Sequence, residues 1–183
     1  MTAEEYLAAE RAAEFRSEYY DGCVFAMAGA SFPHSIITMN LGAELREALR
    51  KRCFVMSSDA RLRVSPGRVF TYPDVMAVCG EPRFADDQKD TVLNPTLIVE
   101  VLSPSTEAHD RGFKFARYRE LESLREYVLV SQKEPRVEKF VRQGSGQWLL
   151  SEYVGLEAVC RFESVDCQIA LADIYENVSF SAD

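Results

Sequence analysis

The run Thr96-Leu97-Ile98-Val99-Glu100-Val101-Leu102 narrows the fold more than any other feature of this chain. Successive side chains of a strand point to opposite faces, and here both faces are apolar. Such a strand sits in the middle of a sheet, with other elements packed above and below it. The 183 residues can supply that cover once but are too few for two ordinary domains, so one domain is expected over residues 1–183. Glu100 is the exception within the run. A buried, unpaired carboxylate is expensive, so this one is expected to be paired, protonated or bound to a metal ion.

The flanking sequence fills in the layers. Residues 3–13 predict a helix, with Thr2 as N-cap and Glu5 three positions later. Asp21-Gly22 separates two strand-like runs, 15–20 and 23–27, and signals a hairpin because glycine tolerates the positive φ of a tight turn. Ser31 caps a second helix that Pro33 opens, and Ile37, Leu41, Leu45 and Leu49 give it one buried stripe. Short strands follow at 54–57, 61–64 and 69–71, with a firmer one at 74–79. After the central strand, Ser103 to Thr106 cap a helix to about Leu121. Strands at 125–131, 135–141 and 147–154 and a short helix near 171–175 complete an α/β (α+β) domain around one mixed sheet.

Composition excludes several classes. No apolar stretch of about 18 residues exists, and the N-terminus lacks a basic start with an apolar run, so a cytoplasmic protein without a membrane span is expected. The five cysteines, Cys23, Cys53, Cys79, Cys160 and Cys167, are odd in number and show no Cys-x-x-Cys spacing. They predict neither a zinc cluster nor a disulfide framework. The 29 acids exceed the 21 Lys and Arg by eight, which argues against tight phosphate-driven binding of nucleic acid.

Asp74 resembles Glu100, following Tyr72-Pro73 at the start of an apolar strand. Each has a structural explanation, Asp74 as a turn residue and Glu100 as the partner of a buried arginine. Together they form the hard oxygen site that magnesium prefers. On a 3.6-residue wheel, Arg111 and Lys114 share the sector of Phe115, Tyr118 and Leu121, where Glu100 would supply their counter-charge. The competing reading is an Asp110–Lys114 pair on the helix surface. His34 opens the second helix, where ring and backbone could meet a phosphate, while His109 is expected to be exposed. Ser103, Ser105 and Thr106 lack a His–Asp partner pattern and are read as caps.

Tyr72-Pro73-Asp74-Val75, then Glu100-Val101-Leu102-Ser103-Pro104-Ser105-Thr106, then Asp110-Arg111-Gly112-x-Lys114-x-x-x-Tyr118 resembles the Uma-type restriction endonuclease family, numerous in cyanobacteria, within the PD-(D/E)XK nuclease superfamily. Glu4-Glu5-Tyr6-Leu7, the segments 17–22 and 27–31 with His34, and Ser123 to Leu129 extend the likeness over nearly the whole chain. The resemblance implies a restriction-endonuclease-like core with Asp74, Glu100 and the Val101 carbonyl as ligands of magnesium, or of manganese. It places Glu18 near the site and implies DNA as substrate and a homodimer. The superfamily's lysine two residues after the second acid is replaced here by Leu102, and Lys114 on the following helix stands in for it. The expected activity is metal-dependent endonucleolytic hydrolysis. A catalytically silent binding or dimerisation module is the alternative, and action on RNA or another phosphodiester a third reading.

Overall fold

A computed structural model describes residues 1–180, so the last three residues of the expected domain lie outside the description. Local chemistry sets the first elements as predicted. The Thr2 hydroxyl accepts the Glu5 N–H while the Glu5 carboxylate accepts the Thr2 N–H, a capping box that starts α1 (Ala3–Ala12). Asp21 and Gly22 take φ values of 46° and 98° between β1 (Ser17–Tyr20) and β2 (Cys23–Ala26). Ser31 caps α2 (Phe32–Ala48), whose Ile37, Leu41 and Leu45 are fully buried.

Six short strands follow: β3 (Cys53–Ser57), β4 (Arg61–Ser65), β5 (Val69–Thr71), β6 (Val75–Cys79), β7 (Thr91–Val92) and β8 (Leu97–Leu102). A helical segment over 107–118 leads to β9 (Glu126–Ser131), β10 (Arg136–Arg142) and β11 (Trp148–Val154). The chain continues through β12 (Val159–Phe162), β13 (Cys167–Ala170) and a short helix, Leu171–Ile174. The single mixed sheet expected from sequence is in fact two large sheets and a ribbon. One sheet runs β11-β10-β9-β8-β6-β3, the other β2-β1-β5-β4-β7, and β12 pairs with β13 alone. The hairpin of β12 and β13 was not expected; its strands are four residues each, too short to show a period.

Central β8 is buried along its whole length, parallel to β9 and antiparallel to β6. Its alternation divides the core. Leu97, Val99 and Val101 pack with α2, whereas Ile98 and Leu102 pack with Leu62 and Val69 of the second sheet and with Tyr118 and Leu121. Both faces are therefore covered, as an unbroken apolar strand requires.

The cysteine reading needs correction. Cys53 and Cys79 are opposed in the β3–β6 register and form a disulfide, with Cα atoms 4.2 Å apart. Sequence spacing says nothing about neighbours across a sheet. Cys23, Cys160 and Cys167 are free. No helix among the described residues is long and apolar enough to cross a membrane.

Candidate active site

Strand alternation decides where the central acid goes. Glu100 lies between Ile98 and Leu102 in phase, so it faces the helical segment 107–118 rather than α2. Val75 pairs with Val99, and one step further along this antiparallel register sets Asp74 beside Glu100. The Asp74 N–H donates to Glu100 Oε2 at 3.4 Å, and Asp74 Oδ2 accepts the Val101 N–H at 2.8 Å. The two acids are thus joined through the backbone, Asp74 in the bend just before β6 and Glu100 within β8.

The lysine arrives from the other side. Ser103 Oγ accepts the Thr106 N–H at 3.2 Å and turns the chain out of β8. The N-cap of the helix that follows is Thr106, which makes no side-chain cap bond, so the hydroxyls of Ser103, Ser105 and Thr106 shape the turn rather than cap the helix. The helix that follows is not uniform, because Asp110–Lys114 forms a π-helical turn between two short α-helical pieces. Lys114 is buried, its Nζ 3.1 Å from Glu100 Oε1, 3.3 Å from Glu18 Oε1 and 3.5 Å from Asp110 Oδ1. The Tyr118 hydroxyl donates to Glu100 Oε1 at 2.8 Å. Glu18, on β1, accepts the Tyr72 N–H at 3.2 Å and the Tyr20 hydroxyl at 2.6 Å, which ties the second sheet to the cluster. His34, in the first turn of α2, sets Nε2 3.2 Å from Asp74 Oδ2. Glu18, His34, Asp74, Glu100, Asp110 and Lys114 line one cleft of about 1450 Å³.

The structure therefore brings together Asp74, Glu100, Lys114, Val101, His34 and Glu18. It does not bring Arg111. That guanidinium bonds Glu107 at 2.9 Å and also Glu138, away from the carboxylates. The wheel that placed it beside Lys114 assumed α-helical geometry, and the π turn is wider. His109 is also corrected: it is half-buried, its ring 5.4 Å from that of Tyr20 and 5.1 Å from that of Phe113. The Asp110–Lys114 pair exists but is buried, not a surface pair. Sequence reasoning overlooks Asp110 and Tyr118 as members of the cluster. Their signals were present in the wheel, which set Tyr118 in the sector of Lys114, and in the i,i+4 pairing of Asp110 with Lys114, which was read as a surface pair.

Burial and charge set the protonation states. Burial works to lower the Lys114 ammonium, but the surrounding charges, first that of Glu100, outweigh it and hold the amine well above its usual range. Burial pushes the Glu100 carboxyl up; Lys114 opposes this, and Asp74, Asp110 and Glu18 add to it. Asp110 is raised for the same first reason, again against Lys114. Burial would lower His34, yet its bond to Asp74 and that residue's charge raise it, helped by the Val101 backbone.

The donor chemistry suits a small, hard cation. Asp74, Glu100 and the Val101 carbonyl offer oxygen ligands only, which match magnesium and not zinc. Four carboxylates, from Glu18, Asp74, Glu100 and Asp110, face one ammonium and one imidazole, and Asp110 Oδ1 is a buried acceptor without a hydrogen bond. A divalent cation would offset that excess. No closed cage exists, since among the described residues no three or more His, Cys, Asp or Glu side chains converge to hold a metal. Two carboxylates with several retained waters are what magnesium commonly takes.

Similar proteins share this chain's length as well as its sequence. A protein of Synechocystis sp. (strain ATCC 27184 / PCC 6803 / Kazusa) named "Uncharacterized protein sll1609" is 40% identical over 163 residues, covering 88% of this chain and 92% of its own. From the same organism, "Uncharacterized protein slr1290" is 34% identical over 183 residues, covering 98% and 94%. The crystal structure of a putative nuclease belonging to DUF820, from Anabaena variabilis ATCC 29413, superposes with a TM-score of 0.76 at 16% identity, covering 96% of this chain and 97% of that one. At that identity the likeness is one of fold. Residues 3–172 match the family described as "Uma2: Putative restriction endonuclease", and the chain belongs to that family.

Proposed function

We propose that the protein is a magnesium-dependent endonuclease that hydrolyses DNA phosphodiester bonds. The observation that carries this reading is the Lys114 ammonium, buried 3.1 Å from Glu100 in a cluster that also holds Asp74. An ammonium so placed has a use in phosphoryl chemistry, where charge develops on oxygen. Asp74, Glu100 and the Val101 carbonyl would hold magnesium, or manganese in its stead. When bound, the ion would polarise a phosphoryl oxygen and lower the pKa of a water.

The chain's own residues do the rest. Lys114 orients the attacking water or offsets charge on the phosphate, and Tyr118 and Asp110 hold Glu100 and Lys114 in place. His34 steadies Asp74 from α2 and stands at the cleft for a phosphate oxygen. Where both strands of a duplex are cut, two sites are needed, and a homodimer would provide them.

The silent-module reading draws on Leu102 in place of the usual lysine and on the net charge of −8. A magnesium-dependent cleavage assay on single-stranded DNA, duplex DNA and RNA separates the readings, with Asp74→Ala and Lys114→Ala as controls. Cleavage of DNA that either substitution lowers by about 10²–10³-fold supports the site. Cleavage unaffected by Asp74→Ala refutes it, and binding without cleavage on any substrate favours the silent module.

A further inference from the structure

Lys114 reaches the acids from the helical segment 107–118 and not from β8, where Leu102 stands. A lysine side chain is long and flexible, so its own backbone does not fix where the ammonium sits. Two of its three carboxylates belong to the same stretch of chain. Glu100 is on β8, which leads into the helical segment, and Asp110 opens the π turn that Lys114 ends. Glu18 alone of the three comes from elsewhere, on β1 of the second sheet.

Glu18 is itself held on both oxygens. Oε1 accepts the Tyr72 N–H at 3.2 Å and lies 3.3 Å from Lys114 Nζ, while Oε2 accepts the Tyr20 hydroxyl at 2.6 Å. A phenol has one proton to give, and Glu18 takes it. The 3.4 Å contact between Tyr20 and His109 Nε2 is therefore one in which the imidazole N–H donates to the Tyr20 oxygen. The imidazole is fixed by its neighbours, stacked on Phe113 with centroids 5.1 Å apart and set edge-on to Tyr20. Tyr20 also stands edge-on to Phe113, at 5.0 Å. His109 immediately precedes the π turn and Lys114 closes it. Two residues of one strand, Tyr20 and Glu18, thus grip both ends of that turn, and π turns within helices recur at functional sites.

We propose that Tyr20 and His109 are positioning residues for Lys114: His109 orients the Tyr20 hydroxyl, Tyr20 fixes the Glu18 carboxylate, and Glu18 sets the ammonium against Glu100. What this placement does for hydrolysis rests on the nuclease reading above, whereas the placement itself does not. A reacting group displaced by about 1 Å can cost about 10²-fold in rate. A clamp on a long side chain then governs turnover without touching the substrate.

The test reads the ammonium directly, by nuclear magnetic resonance of nitrogen-labelled protein without metal. A buried, paired ammonium exchanges its protons slowly enough to give its own proton–nitrogen correlation, and Lys114→Arg identifies it by removing it. Tyr20→Phe keeps the ring and deletes only the hydroxyl. It shifts the correlation and speeds its exchange about ten-fold, as loss of one bond to a charged group implies. His109→Leu acts in the same direction but less, because its contact is longer, and His109→Gln, which keeps a donor, restores the correlation. Both act through one hydroxyl, so Tyr20→Phe with His109→Leu shows no more than Tyr20→Phe alone. In magnesium-dependent cleavage of DNA, Tyr20→Phe lowers kcat about ten-fold at unchanged KM. The half-exposed His109 covers the case in which Tyr20→Phe disturbs the hairpin.

An unmoved correlation in Tyr20→Phe overturns the proposal, as does the lack of any correlation that Lys114→Arg removes. Additive effects in the double variant, or equal effects of His109→Leu and His109→Gln, overturn the part given to His109. A displaced ammonium in a protein that cleaves no nucleic acid would leave this inference standing and remove the nuclease reading. Asp74-dependent cleavage with an ammonium that Tyr20→Phe does not move would do the reverse.

Discussion

Lys114 is the residue on which the other side chains of the cluster depend. Its ammonium is the common partner of Glu18, Glu100 and Asp110, so removing it leaves three carboxylates close together in a largely buried place. Breaking a buried pair by deleting one partner is costly, about 3–5 kcal/mol, because the other charge is left uncompensated. Lys114→Met should therefore lower unfolding free energy by about that much, and adding Glu100→Gln should recover part of the loss. Urea titrations of the two single variants and the double measure the coupling, and purely additive effects would show that the two groups do not interact. His34 gives a pH signature at the same scale. Its folded pKa is raised by Asp74, so the stability it contributes is fully present below its unfolded pKa of about 6.5 and is lost as pH rises through the higher folded value. The gap in melting temperature between the wild type and His34→Gln, measured without metal, should narrow as the pH is raised through that window. A gap that widens with pH would contradict the pairing.

At the scale of elements, β6 and β8 bring the acids together and the helical segment 107–118 brings the lysine. The disulfide ties β6 to edge strand β3 at the end remote from Asp74. A cross-link closing 26 residues is expected to contribute about 2–4 kcal/mol, mostly by restricting the unfolded chain. Reduction should lower the melting temperature, and a thiol titration of the unreduced, denatured protein should find three free thiols; five would disprove the bond. What was legible in sequence follows the same division. The buried strand 97–102, the capping box at Thr2 and Glu5 and the Asp21-Gly22 turn are local patterns, set by neighbours a few residues apart, and all were read correctly. The pairing of Asp74 with Glu100 was also legible, because both are acids out of place in apolar strands. The rest depends on contacts distant in sequence. Nothing near Cys53 announces Cys79, nothing in β1 announces its pairing with β5, and a wheel drawn for an α-helix cannot show a π turn that carries Arg111 away to Glu107 and Glu138.

For the molecule as a whole, the surplus of acids is a property with a consequence for stability. The chain carries a formal charge of −8, and four of its carboxylates crowd one cleft with Lys114 and His34 as their partners. Part of the folding free energy is then spent on holding like charges near each other. An ion that binds the folded cluster and not the unfolded chain returns that energy, by about 2.7 kcal/mol when its concentration is a hundred times its dissociation constant. Magnesium or manganese should therefore raise the melting temperature in a saturable way. Sodium chloride at matched ionic strength should give only the smaller, unsaturable rise expected of screening. Asp74→Asn, which removes a ligand charge without adding bulk, should abolish the saturable part and leave the screening part intact. A metal-dependent rise of the same size in Asp74→Asn would place the cation elsewhere on this acidic surface. Equal effects of magnesium and sodium would mean that the cluster holds no divalent ion, and the hydrolytic role proposed for Asp74 and Glu100 would lose its cofactor.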